Sequence, residues 1–148
     1  MRSRALIRVA ALCAIALASW LWMPPAHALT EIKLFDISYE ECSEEIAEGA
    51  VTSDGSGSAA NCFIVSGKTK NTSGKTVYDA DIFGRIYDAN NNNVLPNRTR
   101  LGNIEEVPPG IGNFSIRISV AATLPTPLKL KKFKARGFGA RVKILLPD

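Results

Sequence analysis

Asn113-Phe114-Ser115-Ile116-Arg117-Ile118-Ser119-Val120 decides the fold class. Phe114, Ile116, Ile118 and Val120 recur at every second position, with Ser115, Arg117 and Ser119 between them. A period of two places the apolar set on one face of an extended chain and the polar set on the other, the pattern of a half-buried strand. Outward from this stretch the pattern repeats. Pro108-Pro109-Gly110 stops a strand predicted over residues 98–107. Residues 77–89 are the longest strand candidate, with Tyr78, Ala80, Ile82, Gly84 and Ile86 sharing one face, and Asn90-Asn91-Asn92-Asn93 turns the chain after them. Residues 62–70 are rich in β-branched side chains and end on Asn71-Thr72-Ser73-Gly74, and residues 31–37 alternate with Ile32, Leu34 and Asp36 on one side. After Pro125-Thr126-Pro127, residues 128–134 read Leu-Lys-Leu-Lys, and Lys132-Phe133 shifts the phase, which predicts a bulge. Gly137 and Gly139 then separate a last strand over 140–146. Only the acidic stretch 39–49 reads differently, with a short helical turn at Glu44-Glu45-Ile46-Ala47. The expectation is an all-β chain, a single antiparallel β-sandwich of about seven strands.

Residues 1–28 read as a secretory signal peptide. Arg2, Arg4 and Arg8 precede an apolar run over 9–22, and Met23-Pro24-Pro25 leads to Ala26-His27-Ala28, a small-x-small cleavage triplet. The run is shorter than the roughly 20 residues that span a bilayer. Leu12 stands before Cys13 where a lipidation signal needs a small residue. Cleavage after Ala28 leaves residues 29–148 as one domain. The formal charge of +4 over the whole chain then falls to near +1, because the leader carries three Arg and no acid. The basic balance is therefore mostly a targeting signal and does not point to nucleic acid. The leader also holds both Trp, one Cys and the only His. Export implies the periplasm, or a comparable oxidising lumen.

Cys42 and Cys62 are the cysteines that remain, and in an oxidising compartment they are expected to pair. The bridge would close a loop containing Ser53-Asp54-Gly55-Ser56-Gly57-Ser58, too polar and too flexible to order itself by burial.

The stretch 65–114 resembles the FxLYD-type domains and related immunoglobulin-like modules of exported bacterial proteins. Its phrases are Gly67-Lys68-Thr69-Lys70-Asn71, Ile86-Tyr87-Asp88 and Pro109-Gly110-Ile111-Gly112-Asn113-Phe114. One departure stands out: Gly84 occupies the position of the motif's Phe, and Phe83 precedes it. The chain also resembles small exported proteins of cyanobacteria, whose secretion pathway feeds both periplasm and thylakoid lumen. The resemblance implies an immunoglobulin-like fold and transfers no catalytic residue.

Catalytic chemistry is poorly supplied. Without His or a free Cys the exported chain cannot assemble a Ser-His-Asp or Cys-His arrangement, nor the usual ligand set for zinc. No catalytic residue, metal site or cofactor is expected. Asp88-Ala89-Asn90-Asn91-Asn92 opens like a calcium loop, but Asn93 replaces the required Gly and Thr99 the required Glu, so it reads as a turn. Asn71, Asn97 and Asn113 begin Asn-x-Ser/Thr triplets, which matter only in a host that glycosylates exported proteins on asparagine and otherwise read as chance occurrences in turns.

Charge distribution carries the functional hint. Residues 31–54 hold eight acids and one base, whereas 128–147 hold seven bases and no acid. Lys129, Lys131, Lys132, Lys134 and Arg136 form a basic stripe, a candidate docking surface for a protein assembly or an anionic membrane. Two plainer readings compete: lysines on an edge strand discourage aggregation, and the stripe can pair with the acidic segment. The expected function is a non-enzymatic interaction module, an accessory or assembly factor of an envelope or thylakoid complex. The alternative is a carbohydrate or polar-ligand binder, or a carboxylate-dependent hydrolase, using Asp79, Asp81 or Glu105-Glu106.

Overall fold

The computed structural model describes residues 29–52 and 57–141. Residues 1–28, expected to be a leader, and all but the first two residues of the strand expected at 140–146 lie outside them. The described chain forms six strands and one helical turn: β1 (Thr30–Glu41), α1 (Glu44–Ala47), β2 (Ala60–Asn71), β3 (Val77–Tyr87), β4 (Arg100–Val107), β5 (Gly110–Ala121) and β6 (Lys129–Phe138). All pair antiparallel in one sheet of order β4-β3-β6-β1-β2-β5. The sheet curls until it is nearly a barrel. Its two ends meet where Gly102 of β4 lies against Ile116 of β5, so close that a Cβ on Gly102 would sit 2.7 Å from Ile116 Cγ2.

The alternation of β5 is realised as read: Phe114, Ile116, Ile118 and Val120 are buried, and β5 pairs with β2 over twelve consecutive residues without a register break. Ile32, Phe63, Val65, Val77, Ile82, Ile86 and Ala135 complete the fully enclosed core. At roughly 25 cal/mol per Å² of apolar surface removed from water, these side chains dominate the favourable side of folding.

The turn residues act as their chemistry suggests. Asn71 is buried, donating from Nδ2 to the Lys75 and Val107 carbonyls (2.8 and 2.9 Å) while its Oδ1 accepts the Ser73 amide (3.0 Å). Asp88, fully buried, accepts the Asn92 amide at 2.8 Å and closes the turn after β3. Cys42 and Cys62 are bridged, with Cα atoms 5.4 Å apart. In the chain-entropy picture a loop of this length contributes about 3 kcal/mol.

Four expectations need correction. Tyr78 does not share the buried face of β3, because Asp79 adopts φ +50° and the local bulge rotates Tyr78 to the outside. Asp36 takes the same conformation in β1, so Asp36 is exposed while Ile37 and Tyr39 turn to the core and the strand runs on to Glu41. At 11 residues, β3 is one shorter than β1, β2 and β5. Gly137 does not end a strand: β6 continues to Phe138, and Gly137 sits beneath the β3 bulge, where a Cβ would lie 2.6 Å from the Tyr78 carbonyl oxygen.

Candidate docking face

The basic stripe lies on β6, which is not at an end of the strand order but between β3 and β1. The ladder between β6 and β1 nevertheless covers only Thr30–Ile32 against Ala135–Gly137, after which β1 turns away to pair with β2. The first half of β6 is thus paired on the β3 side alone, and the lysine-rich edge expected from the sequence exists as an internal split. Tyr39 bridges the split, its Oη accepting the Leu128 amide at 2.8 Å.

On the outer face of β4-β3-β6-β1, cross-strand register decides which charges meet. Toward one end, Arg136 stands opposite both Glu31 and Asp81, with Glu31 Oε2 at 3.6 Å. Arg100 donates from Nε to Asp81 Oδ1 at 2.6 Å, and that hydrogen bond, followed by the Asp81 charge, holds its guanidinium above the ordinary value. Arg141 reaches Glu106 Oε2 at 3.3 Å and lies 4.9 Å from the Tyr78 ring centroid. Toward the other end, Phe83 faces Lys134, Arg85 faces Lys131 and Tyr87 faces Lys129. Lys131 Nζ sits 5.2 Å over the Tyr87 ring. Among the described residues no ion pair joins Arg85, Lys131, Lys132 or Lys134 to an acid. Like charges directly opposite on a sheet repel, so Arg85 and Lys131 oppose folding slightly where they stand.

Two irregularities build this end. Leu101 is the extra residue between Ile82↔Gly102 and Phe83↔Arg100, and Lys132-Phe133 are opposed only by Gly84. Lys132 takes φ +56°, the bulge predicted from the phase slip. Both bulges drive an apolar side chain inward over Gly84, where a Cβ would meet Phe133 Cδ2 at 2.8 Å and Leu101 Cδ1 at 2.9 Å. Phe133 and Leu101 thus fill the space that a side chain at position 84 would take. On the outside, a groove of about 290 Å³ is lined by Phe83, Gly84, Arg85, Thr99, Lys132 and Lys134. A second of about 310 Å³ shares Phe83 and Lys134 and runs on to Arg136 and Phe138, with Asp79 and Asp81 in its wall at the neutralised end.

The remaining stripe residue, Lys129, has another task. Its Nζ donates to the Ala89 carbonyl (3.0 Å) and to Asn91 Oδ1 (2.7 Å), pinning the turn that Asp88 closes. Burial pushes the Asp88 carboxyl upward, but hydrogen bonds from the Asn92 side chain and from the Asn92 and Asn90 amides, with the Lys129 charge, hold it below the ordinary value. Of the acids considered for catalysis, Asp79, Glu105 and Glu106 line a third groove with Tyr78, Asn103 and Arg141, whereas Asp81 lies in its neighbour. Among the described residues no three His, Cys, Asp or Glu side chains are grouped to hold a metal ion.

Sequence reasoning missed Arg85 and the outward group of Lys33, Lys68 and Lys70 on β1 and β2. Alternation along β3 already sends Arg85 outward, but its place beside Lys131 depends on pairing between distant strands. Lys33 faces Lys70, and Lys68 is paired to Asp36 at 3.0 Å. No protein-family model, curated protein or solved structure matches this chain.

Proposed function

We propose that the protein is an exported, non-catalytic docking module of immunoglobulin-like, FxLYD-type architecture. It engages an anionic partner, a protein assembly or a membrane surface of the periplasm or thylakoid lumen, and serves as an accessory or assembly factor there. The observation that carries this reading is the group of four cations near Phe83, Arg85, Lys131, Lys132 and Lys134, with no carboxylate partner among the described residues. An un-neutralised basic patch steers association with anionic partners, more strongly at low salt. The Cys42–Cys62 bridge supports an oxidising compartment. A polar-ligand site in the groove of Asp79, Glu105 and Glu106 is less favoured, because Arg141 already occupies Glu106.

Crosslinking and affinity capture of the protein from its own host, with bound proteins identified by mass spectrometry, tests the reading. One assembly recovered reproducibly, and lost in Lys131→Gln/Lys134→Gln at nearly unchanged thermal stability, is the expected result. Undiminished capture by that variant returns these lysines to guarding the split.

A further inference from the structure

We propose that the occupant of this face is an extended acidic segment of a partner protein, laid along β3 and β6 with one aromatic or apolar side chain against Phe83. The inference rests on the docking reading and names its partner. Shape is the first argument. The two grooves join at Phe83 and Lys134 into a trough that follows the strands, a form suited to a chain rather than to a plane. Charge is the second. Lys131, Lys134 and Arg136 point outward along β6, with Arg85 beside Lys131, and one bulge residue is absorbed between Lys131 and Lys134. Alternate residues of an extended peptide recur every ~7 Å, about the spacing of such outward positions on a strand. Acids over Lys131 and Lys134 would each meet a cation with no carboxylate partner among the described residues, whereas Arg136 already has Glu31.

The third argument concerns what a bilayer would require. Surface-bound segments add buried apolar side chains to their electrostatic attraction. Here Phe83 and Tyr87 are half-buried and lie on the sheet. Of the large hydrophobics exposed among the described residues, Leu29, Ile46, Val51, Ile111 and Phe138, only Leu29 and Phe138 border the trough, and they do so at its neutralised end. The cationic end offers rings to stack on and charges to pair with, and nothing to insert. An acidic chain between Arg85 and Lys131 would also relieve their repulsion, so part of the binding free energy is already stored in the free protein.

The test uses fluorescence anisotropy with a labelled nine-residue peptide, one Tyr flanked on each side by four Glu, and its Gln-for-Glu counterpart. Vesicles of phosphatidylglycerol and phosphatidylcholine are run in parallel by co-sedimentation. The acidic peptide is expected to bind, the Gln peptide not, and binding should weaken as salt rises from about 0.05 to 0.3 M. Lys131→Glu/Lys134→Glu should lose about tenfold or more, as for two exposed ion pairs turned to repulsion. Lys68→Glu/Lys70→Glu, the same charge change on β2, two strands from β6, should keep the affinity. Vesicle binding without peptide binding overturns the acidic segment in favour of a membrane and leaves the docking reading standing. Binding to neither probe, or equal loss in both double variants, overturns the site and the docking reading together.

Discussion

The two ends of the outer face are built from the same strands and differ in what stands opposite each cation. Near Tyr78 and Phe138, Arg136, Arg100 and Arg141 each have a carboxylate within reach. Near Tyr87, Arg85, Lys131, Lys132 and Lys134 have none among the described residues. The cause is topological. The acidic strand β1 runs beside β6 only as far as Ile32, so Glu31 reaches Arg136, and then β1 departs with Asp36, Glu40 and Glu41 toward β2. Among the described residues, pairing between the acidic and basic segments is thus realised at Arg136 alone and withheld from the lysines beyond it. A face that is neutral at one end and cationic at the other follows from where a single strand changes partners.

The largest effect is expected from breaking the framework of the cationic end. Phe133→Ala removes the ring that covers Gly84 and should cost about 2–3 kcal/mol, read from the denaturant midpoint, at the low end for Phe→Ala because the ring is only partly enclosed. Gly84→Ala should cost about 1–3 kcal/mol by overpacking against Phe133 and Leu101. Combined, the two changes should cost clearly less than their sum, since the added methyl enters space that the ring has left. Strict additivity would show that Phe133 and Gly84 do not form one packing unit.

What could be read beforehand follows from how local each feature is. The burial of Phe114, Ile116, Ile118 and Val120, the bulge at Lys132-Phe133 and the turns at Asn71 and Asp88 are all encoded within short windows, and the bridge joins Cys42 and Cys62, the two cysteines that residues 29–148 contain. Tyr78 was misplaced because nothing in Tyr78-Asp79-Ala80 announces a left-handed Asp, although Asp tolerates that conformation better than most residues. The cationic end was only half legible. Its β6 residues form a run, but Arg85 lies more than 40 positions away and joins them through register alone. The glycine at 84 is explained only by Phe133 and Leu101 packed over it, another long-range arrangement.

The turn at the foot of the cationic end should respond to acid. The carboxyl of Asp88 is held below its ordinary value of 3.8 in the folded chain. Its ionised form therefore stabilises the fold above about pH 4, and that contribution is lost as pH falls through the lower, folded value. Thermal midpoints measured from pH 6 to pH 3 should fall more steeply for the natural chain than for Asp88→Asn. The Asn side chain retains an acceptor for the Asn92 amide and has no charge to lose. Parallel slopes would detach Lys129 and the turn from any electrostatic coupling to Asp88.

The smallest effects carry the sharpest comparison, because they differ in sign. Arg136→Gln removes a partner of Glu31 at the neutralised end and should lower stability by about 0.2–1 kcal/mol, the range for an exposed ion pair. Lys131→Glu, five residues away on the same strand, replaces a like-charge neighbour of Arg85 with an opposite one and should raise stability by about 0.2–1 kcal/mol. Both shifts are readable in a chemical denaturation series at low ionic strength, and both should shrink with added salt. A fall in both variants would mean that Arg85 and Lys131 already find compensation in the free protein. The cationic end would then have no repulsion for an acidic partner to relieve, and the reason for placing the partner there would be gone.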